Sequence, residues 1–214
     1  MTKTQINNKN ISKALLVFTV FLAYTFCIPT FKINLFLKLL LDILLVFCFI
    51  YVYLKDIKKS IINTKKNPKK IFVYIFSFWL LSFLLGTATN MLIKNVIHIS
   101  SPNNIAQYQF LKQNPLYLGF SMLVFSPLVE ELAITVYLKK IITNKWLYLI
   151  MSSLFFGMFY VIFSATNSSS YLYIISYTVQ SFIWIYAYYK TDNIVVPIGI
   201  HFLQNIIIFL IYII

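Results

Sequence analysis

Seven long apolar stretches, separated by short polar segments, dominate this chain. Each is close to the roughly 20 residues that an α-helix needs to cross a bilayer. Their approximate bounds are 14–31, 33–54, 71–93, 116–138, 146–165, 170–189 and 193–214. Apolar residues surround each predicted helix almost completely, as expected for helices that face lipid or one another. The pattern therefore predicts an all-α fold, a polytopic transmembrane helix bundle of about seven spans.

The composition agrees with this fold class. Of the 214 residues, 60% are hydrophobic and 11% are charged, whereas a soluble domain has roughly 45–50% apolar and about 25% charged residues. So few polar residues cannot cover the surface of a globule of this size. A soluble enzyme, a disordered chain and a disulfide scaffold are therefore excluded. We expect an integral, multi-pass protein surrounded by a lipid bilayer.

The distribution of positive charge predicts the topology, since all 18 basic residues are lysines. With a cytoplasmic N-terminus, fourteen lysines fall on inner segments and three on outer segments. Cytoplasmic segments of membrane proteins carry such an excess of positive charge. The lysines lie in short segments between apolar stretches, so no nucleic acid is expected as a partner despite the net charge of +13.

Seven of the inner lysines lie between Lys55 and Lys70, which we interpret as a basic cytoplasmic loop. The loop is either a topology anchor or a surface that attracts anionic lipid headgroups or an acidic partner. The sequence does not separate these two interpretations.

Charged residues inside the predicted spans each require a partner or a function, because a charge at the bilayer centre costs at least about 2.5–3.5 kcal/mol. Asp42 lies four residues after Lys38 on the same helical face, and the two are predicted to pair. Glu130 and Glu131 have no such neighbour. Adjacent helical side chains point about 100° apart, so one glutamate is predicted to face a cavity as a general base or acid, and the other to brace a neighbouring helix or loop.

A second polar group lies in the last predicted span. His201 and Asn205 are four residues apart and share one helical face. At 1.5 Å per residue, Glu130 and His201 both lie roughly 12–14 Å below the cytoplasmic boundary. Two carboxylates, an imidazole and a carboxamide at one depth predict a polar site within reach of the cytoplasmic leaflet.

The arrangement of these residues resembles the CAAX-protease and bacteriocin-processing family of intramembrane endopeptidases. Three motifs define that family: Glu-Glu-x-x-x-Arg, Phe-x-x-x-His and His-x-x-x-Asn. Here Glu130 and Glu131 begin the first motif, Phe156 begins the second, and His201 with Asn205 forms the third. The resemblance spans roughly 70–210. It implies a family-like membrane core over 70–214, preceded by N-terminal membrane helices and the basic loop over 1–69.

The resemblance also implies residue roles. Glu130 corresponds to the glutamate that activates the hydrolytic water, and Glu131 to its neighbour that helps to hold the site. His201 and Asn205 correspond to the pair that supports the oxyanion of the tetrahedral intermediate. These residue types suit amide hydrolysis, which needs a base for water and donors for the developing negative oxygen.

Two motif positions differ from the family. Thr135 stands where the family has arginine, and Tyr160 stands where it has the histidine of the second motif. One histidine and two carboxylates are few ligands for zinc, so the ligand set does not support a divalent metal, and no cofactor is assigned.

Two functions remain open at this point. The first is an endopeptidase that cleaves a peptide near the cytoplasmic face, such as a bacteriocin or signalling-peptide precursor or a prenylated C-terminus. The second is an inactive family member that binds a peptide or a membrane-protein partner, in bacteriocin immunity or as a scaffold. A transporter or channel is less well matched, because the ionisable residues cluster at one depth. The lysine-only, Asn- and Ile-rich composition favours a bacterial cell membrane.

Overall fold

The computed structural model describes residues 8–27 and 33–213, and within these ranges it contains helices and no strand. Eight helices are formed in this part of the chain: α1 (Asn8–Cys27), α2 (Leu35–Lys66), α3 (Pro68–Ile97), α4 (Pro102–Gln113), α5 (Pro115–Ile141), α6 (Lys145–Ile162), α7 (Tyr173–Thr191) and α8 (Val195–Ile213). A short 3-10 helix, Ser168–Leu172, precedes α7. The predicted all-α helix bundle is confirmed.

Each of the seven predicted apolar stretches coincides largely with a helix. Residues 33–34, 163–165 and 193–194 lie just outside the helices, and residues 28–31 and 214 fall outside the described residues. Five helices are long and apolar enough to cross a membrane: α2, α3, α5, α6 and α8. The apolar part of α1 is shorter, and α7 is less apolar because tyrosines, Gln180 and Lys190 interrupt it. The protein is thus a membrane helix bundle, and the number of seven spans stays a prediction.

The predicted loop between Lys55 and Lys70 is wrong. α2 continues to Lys66 and α3 begins at Pro68, so Asn67 alone separates the two helices. No glycine or proline interrupts residues 55–66, and the residue before a proline is disfavoured in the α conformation. The helix therefore continues past the apolar stretch and ends only at Asn67. The predicted division of the chain after residue 69 falls in the first turn of α3 and stays a prediction.

Ion pairs gather the lysine-rich termini of α2, α5 and α7 at one end of the bundle. The ammonium groups of Lys59 and Lys139 lie 2.8 Å and 2.9 Å from the carboxylate of Asp192, and that of Lys140 lies 2.6 Å from Asp56. Burial raises the pKa of Asp192, but the hydrogen bonds from its two lysines outweigh burial and lower that pKa below its ordinary value. We call this the lysine-rich end.

At the opposite end, the polar helix α4 packs across the termini of α7 and α8. The hydroxyl of Tyr177 donates to Asn104 Oδ1 over 3.0 Å, and that of Tyr212 donates to the Asn104 carbonyl over 3.3 Å. The hydroxyl of Tyr173 donates to the Ile99 carbonyl, after the end of α3, over 2.6 Å. We call this the α4 end; α4 itself has no counterpart among the predicted elements.

Candidate active site

The site is built on α5, whose central part, Ser121–Val136, is a π-helix with Pro127 inside it. In a π-helix, an N–H donates to the carbonyl five residues earlier. Pro127 has no N–H, so the carbonyl of Met122 lacks that donor. Instead, Asn205 Nδ2 on α8 donates to the Met122 carbonyl over 2.7 Å. The carboxamide of Asn205 thus replaces a backbone donor and ties α8 to α5 beside the two glutamates.

Glu130 accepts a hydrogen bond on each carboxylate oxygen. The hydroxyl of Ser126, one turn earlier, donates to Oε1 over 2.6 Å, and the hydroxyl of Tyr160 on α6 donates to Oε2 over 2.8 Å. The residue is 6% exposed, so it is buried but still in contact with open space. A carboxylate can accept about four hydrogen bonds, which leaves acceptor positions for a water molecule.

Glu131 is fully buried and points towards other helices. Thr135 donates to its Oε2 over 2.6 Å, and its Oε1 lies 3.1 Å from Nδ1 of His201 on α8. The prediction that one glutamate faces a cavity and the other braces a neighbouring helix is confirmed. Thr135, at the family's arginine position, contacts the same glutamate with a neutral hydroxyl.

Aromatic rings hold His201 in place. The imidazole is fully buried, with the ring of Trp184 stacked at 4.6 Å and the ring of Phe156 edge-on at 6.4 Å. Trp184 is itself held by a 3.0 Å hydrogen bond from Nε1 to Ser82. These contacts fix the imidazole plane, so that Nδ1 faces Glu131 and Nε2 faces the hydroxyl of Tyr160.

Two hydroxyls connect Glu130 to His201. The oxygen of Tyr160 lies 2.8 Å from Glu130 Oε2 and 3.0 Å from His201 Nε2, and the hydroxyl of Ser126, which donates to Glu130 Oε1, lies 3.3 Å from the same Nε2. The link through Tyr160 is the shorter, and its two hydrogen bonds need two protons, of which the phenol supplies one. The second proton lies either on Nε2, with Tyr160 donating to an ionised Glu130, or on Glu130, with Tyr160 donating to Nε2. Moving both protons interconverts these forms. The hydroxyl of Tyr160 therefore provides a hydrogen-bonded path for a proton between Glu130 and His201.

A glycine lets α6 approach α7 closely enough to place Tyr160. A Cβ atom at Gly157 would lie 2.2 Å from Thr178 Oγ1 and 2.7 Å from the Ile174 carbonyl oxygen. The clash with a backbone oxygen cannot be relieved by rotating a side chain. A larger residue at position 157 would push α6 outwards and carry Tyr160, three residues later, away from Glu130.

Two cavities meet at Glu130. The first, about 330 Å³, is bounded by α4, α5, α6 and α8, and Tyr160 and Asn205 line it together with Glu130. The second, about 260 Å³, extends from Glu130 to residues of α1 and α2. Glu131 and His201 line neither cavity and lie behind Glu130 instead.

The second cavity contains another buried carboxylate, Asp42, and here the predicted ion pair with Lys38 is wrong. The hydroxyls of Tyr24 on α1 and Tyr117 on α5 donate to the two oxygens of Asp42, the latter over 2.5 Å. The ammonium of Lys38 lies over aromatic rings instead, 5.1 Å from the ring centre of Tyr117 and 5.7 Å from that of Phe110. Tyrosines from two other helices thus take the place that the helical spacing assigned to Lys38.

Among the described residues, no group of three or more His, Cys, Asp or Glu side chains is arranged to hold a metal ion.

Comparison with known families agrees with this geometry. Residues 112–207 match the family model described as Type II CAAX prenyl endopeptidase Rce1-like. This segment is an Rce1-like domain. It contains all three motif segments, and the predicted resemblance to the CAAX-protease and bacteriocin-processing family is confirmed for it. No curated protein and no solved structure matches the chain.

The sequence-predicted site residues are partly brought together by the fold of the Rce1-like domain. Glu130, Glu131 and His201 form one hydrogen-bonded cluster, whereas Asn205 lies on the wall of the adjoining cavity. Their catalytic roles stay predictions. Tyr160, identified in the sequence only as a departure from the motif, joins the cluster. Ser126 was not predicted as a site residue. Its position one turn before Glu130 could have identified it from the sequence.

Proposed function

We propose that this protein is a membrane-embedded endopeptidase in which Glu130 activates the water that cleaves a peptide bond. The observation that carries the proposal is the position of Glu130, which borders both cavities while its partners Glu131 and His201 lie behind it. A general base must be within hydrogen-bond reach of the water that it activates. Among the clustered residues, Glu130 combines contact with the cavities and a proton-accepting group.

The proposed reaction begins with a water molecule beside Glu130. The water gives a proton to the carboxylate as its oxygen attacks the peptide carbonyl carbon, which forms a C–O bond and leaves a tetrahedral oxyanion. Collapse of this intermediate breaks the C–N bond, and Glu130 returns the proton to the leaving nitrogen. One carboxylate thus acts first as a base and then as an acid.

The neighbouring residues support this cycle. When His201 carries its proton on Nε2, Tyr160 donates to Glu130, and this hydrogen bond favours the ionised carboxylate, which is the form that accepts a proton from water. The carboxamide of Asn205 has a second N–H besides the one bound to Met122. We assign this second N–H to the oxyanion, where a positioned donor stabilises developing negative charge.

The family resemblance suggests short peptides as substrates, such as bacteriocin or signalling-peptide precursors. The composition, with its lysines and many Asn and Ile residues, favours a bacterial cell membrane over a membrane that holds prenylated proteins.

A second function is favoured by a specific observation. Both oxygens of Glu130 are already hydrogen-bonded by Ser126 and Tyr160, and neither the arginine nor the second histidine of the family motifs is present. In this alternative, the cavities bind a peptide or membrane-protein partner without cutting it, in bacteriocin immunity or as a scaffold.

The two functions are separated by mapping peptide termini. Membranes from cells that contain the wild-type protein, Glu130→Gln or Asp192→Asn are compared by mass spectrometry at equal protein levels. Asp192→Asn is the matched control, since it makes the same acid-to-amide change at the lysine-rich end. We expect termini that appear with the wild type and the control but not with Glu130→Gln. The same termini with Glu130→Gln contradict the proposed mechanism, and no new termini with any variant favours the binding function.

A further inference from the structure

The two cavities leave Glu130 in the same direction. The first reaches Asn103 and Gln107 on α4 and Ser164 beyond the end of α6. The second reaches Thr25, near the end of α1, and Lys38, in the first turns of α2. All of these helix termini lie at the α4 end of the bundle. Both paths to Glu130 therefore open at the end that carries few lysines.

The opposite path, from Glu130 to the lysine-rich end, is filled. Every residue from Leu132 to Val136 is fully buried, and Tyr137 is 4% exposed. Beyond them, Tyr148 donates to the Thr135 carbonyl over 3.0 Å and closes α6 against α5. The ion pairs of the lysine-rich end lie further out and tie α5 to α2 and α7. No cavity described above reaches Glu130 from this side.

The lysines assign a compartment to each end. In the described residues, the lysine-rich end carries the lysines of three helix-terminal regions: Lys55–Lys70, Lys139–Lys145 and Lys190. At the α4 end, Lys94 lies in the last turn of α3, Lys112 lies in the last turn of α4, and Lys38 faces the second cavity. Because positive charge is retained on the cytoplasmic side, the lysine-rich end is cytoplasmic and the α4 end faces the other side of the membrane.

We propose that the site opens to the extracytoplasmic face and that its substrate is a polypeptide segment presented there. The proposal rests on the proposed function and replaces the access from the cytoplasmic leaflet that the sequence suggested. The carboxamides of Asn103 and Gln107, at the mouth of the first cavity, suit such a substrate. Each can donate and accept hydrogen bonds without charge, and this matches the alternating N–H and carbonyl groups of an extended peptide.

The side of access is tested by cysteine labelling, which needs no catalysis. In the full chain with Cys27→Ser and Cys48→Ser, single cysteines are introduced by Gln107→Cys, Ser164→Cys or Lys69→Cys. A membrane-impermeant sulfonated maleimide is added to intact cells or to inverted membrane vesicles. We expect Gln107→Cys and Ser164→Cys to react in intact cells. Lys69→Cys, which is exposed at the lysine-rich end, should react only in inverted vesicles.

Three labelling results overturn the proposal. The first is reaction of the two cavity cysteines only in inverted vesicles. The second is reaction of Lys69→Cys in intact cells. The third is a lack of reaction of the cavity cysteines from either side although the detergent-denatured protein reacts, because the cavities would then be closed to water.

A second measurement separates failure of this proposal from failure of the proposed function. A mixture of fluorogenic peptides of random sequence is supplied to one face of oriented proteoliposomes that contain wild-type protein or Glu130→Gln. We expect cleavage that depends on Glu130 only from the face of the α4 end. Cleavage only from the lysine-rich face overturns the side of access, whereas cleavage from neither face overturns the endopeptidase function.

Discussion

Two buried carboxylates lie along the same cavity, and their partners differ. Asp42 is 1% exposed and accepts hydrogen bonds from Tyr24 and Tyr117. Glu130 is 6% exposed and accepts from Ser126 and Tyr160. Hydroxyl groups thus satisfy both carboxylates. The difference lies in what the hydroxyls contact next. The hydroxyl of Tyr160 also contacts the imidazole of His201, whereas no histidine is among the described residues that line the second cavity.

The comparison indicates why the carboxylate of Asp42 holds helices together whereas that of Glu130 is proposed to react. A carboxylate whose two oxygens bind phenols from two other helices joins α1, α2 and α5 at one point. A carboxylate linked through a phenol to an imidazole can exchange its proton within the protein. Burial is common to both, so the connection to His201, rather than burial, distinguishes the carboxylate that is proposed to react.

Among changes to the partners of the two carboxylates, the largest expected effect comes from removing the shorter of the two links to the imidazole. Tyr160→Phe deletes the hydroxyl between Glu130 and His201, and we expect the peptide cleavage rate to fall by about 100-fold, as is typical of losing a proton-transfer group. Tyr24→Phe makes the same change at Asp42 and should leave the rate close to that of the wild type. The measurement is kcat on a peptide identified by the terminus mapping. Equal losses in the two variants would remove the distinction between the clusters.

A smaller effect is expected when the family's histidine is restored. Tyr160→His places a second imidazole beside Glu130, and we expect the cleavage rate to rise about tenfold, because an imidazole exchanges protons near neutral pH more readily than a phenol does. The same assay measures it, with circular dichroism to show that the helices are retained. A folded variant with no gain would mean that Tyr160 already performs this role as well as histidine does.

A change at Asp42 should lower the stability of the protein and leave its activity unchanged. In Asp42→Asn, one carboxylate oxygen becomes an NH₂ group that faces the hydroxyl of Tyr24 or Tyr117. We expect a loss of about 1–3 kcal/mol in the free energy of unfolding, the cost of an unsatisfied buried donor. Unfolding in detergent micelles measures it, while cleavage per folded molecule stays unchanged. A stability equal to that of the wild type would show that Asp42 does not tie the helices together.

The smallest effect is expected at the lysine-rich end. There the carboxylate of Asp192 is exposed, whereas those of Asp42 and Glu130 are buried. The side chain of Asp192 is 60% exposed, so we expect Asp192→Asn to cost less than about 1 kcal/mol at neutral pH and low salt. The pKa of Asp192 is lowered in the folded protein. Its contribution is therefore present above the ordinary aspartate pKa and is lost as the pH falls through the lowered pKa.

The measurement is the unfolding midpoint of wild type and Asp192→Asn over a pH series. The two proteins should differ at pH 7 and converge in acid. A difference that persists unchanged in acid would show that the ion pairs with Lys59 and Lys139 do not cause it.

Hydropathy predicted where the apolar helices lie but not where they end. The sequence places a loop between Lys55 and Lys70 because the apolar pattern stops there, yet α2 continues to Lys66. Lysine is a good helix former, and a helix leaving the membrane loses only its lipid contacts. The sequence signal that did mark the helix end was the proline at position 68.

The motifs predicted which residues meet, whereas their bonds required the three-dimensional structure. The order of the motifs brought Glu130, Glu131 and His201 into one prediction. The bond from Asn205 to the Met122 carbonyl depends on the π-helical spacing around Pro127, which motif spacing does not reveal.

The other incorrect or incomplete predictions involve residues that lie far apart in the sequence. The hydroxyls around Asp42 come from Tyr24 and Tyr117, 18 and 75 residues away in sequence. Helical spacing alone identified only Lys38 as a partner for Asp42. Likewise, a motif comparison shows Tyr160 as a substitution, and only the fold shows that its hydroxyl reaches both Glu130 and His201.

The buried layer from Leu132 to Val136 also bears on proton leakage across the membrane. A proton gradient is dissipated wherever titratable groups form a continuous path from one side of the bilayer to the other. Here the carboxylates, the phenol and the imidazole stop at a layer of fully buried side chains, of which only Thr135 is polar. In the described residues, this layer separates Glu130 and its two cavities from the lysine-rich end. A site of this kind can hold water beside a carboxylate without giving protons a path across the bilayer.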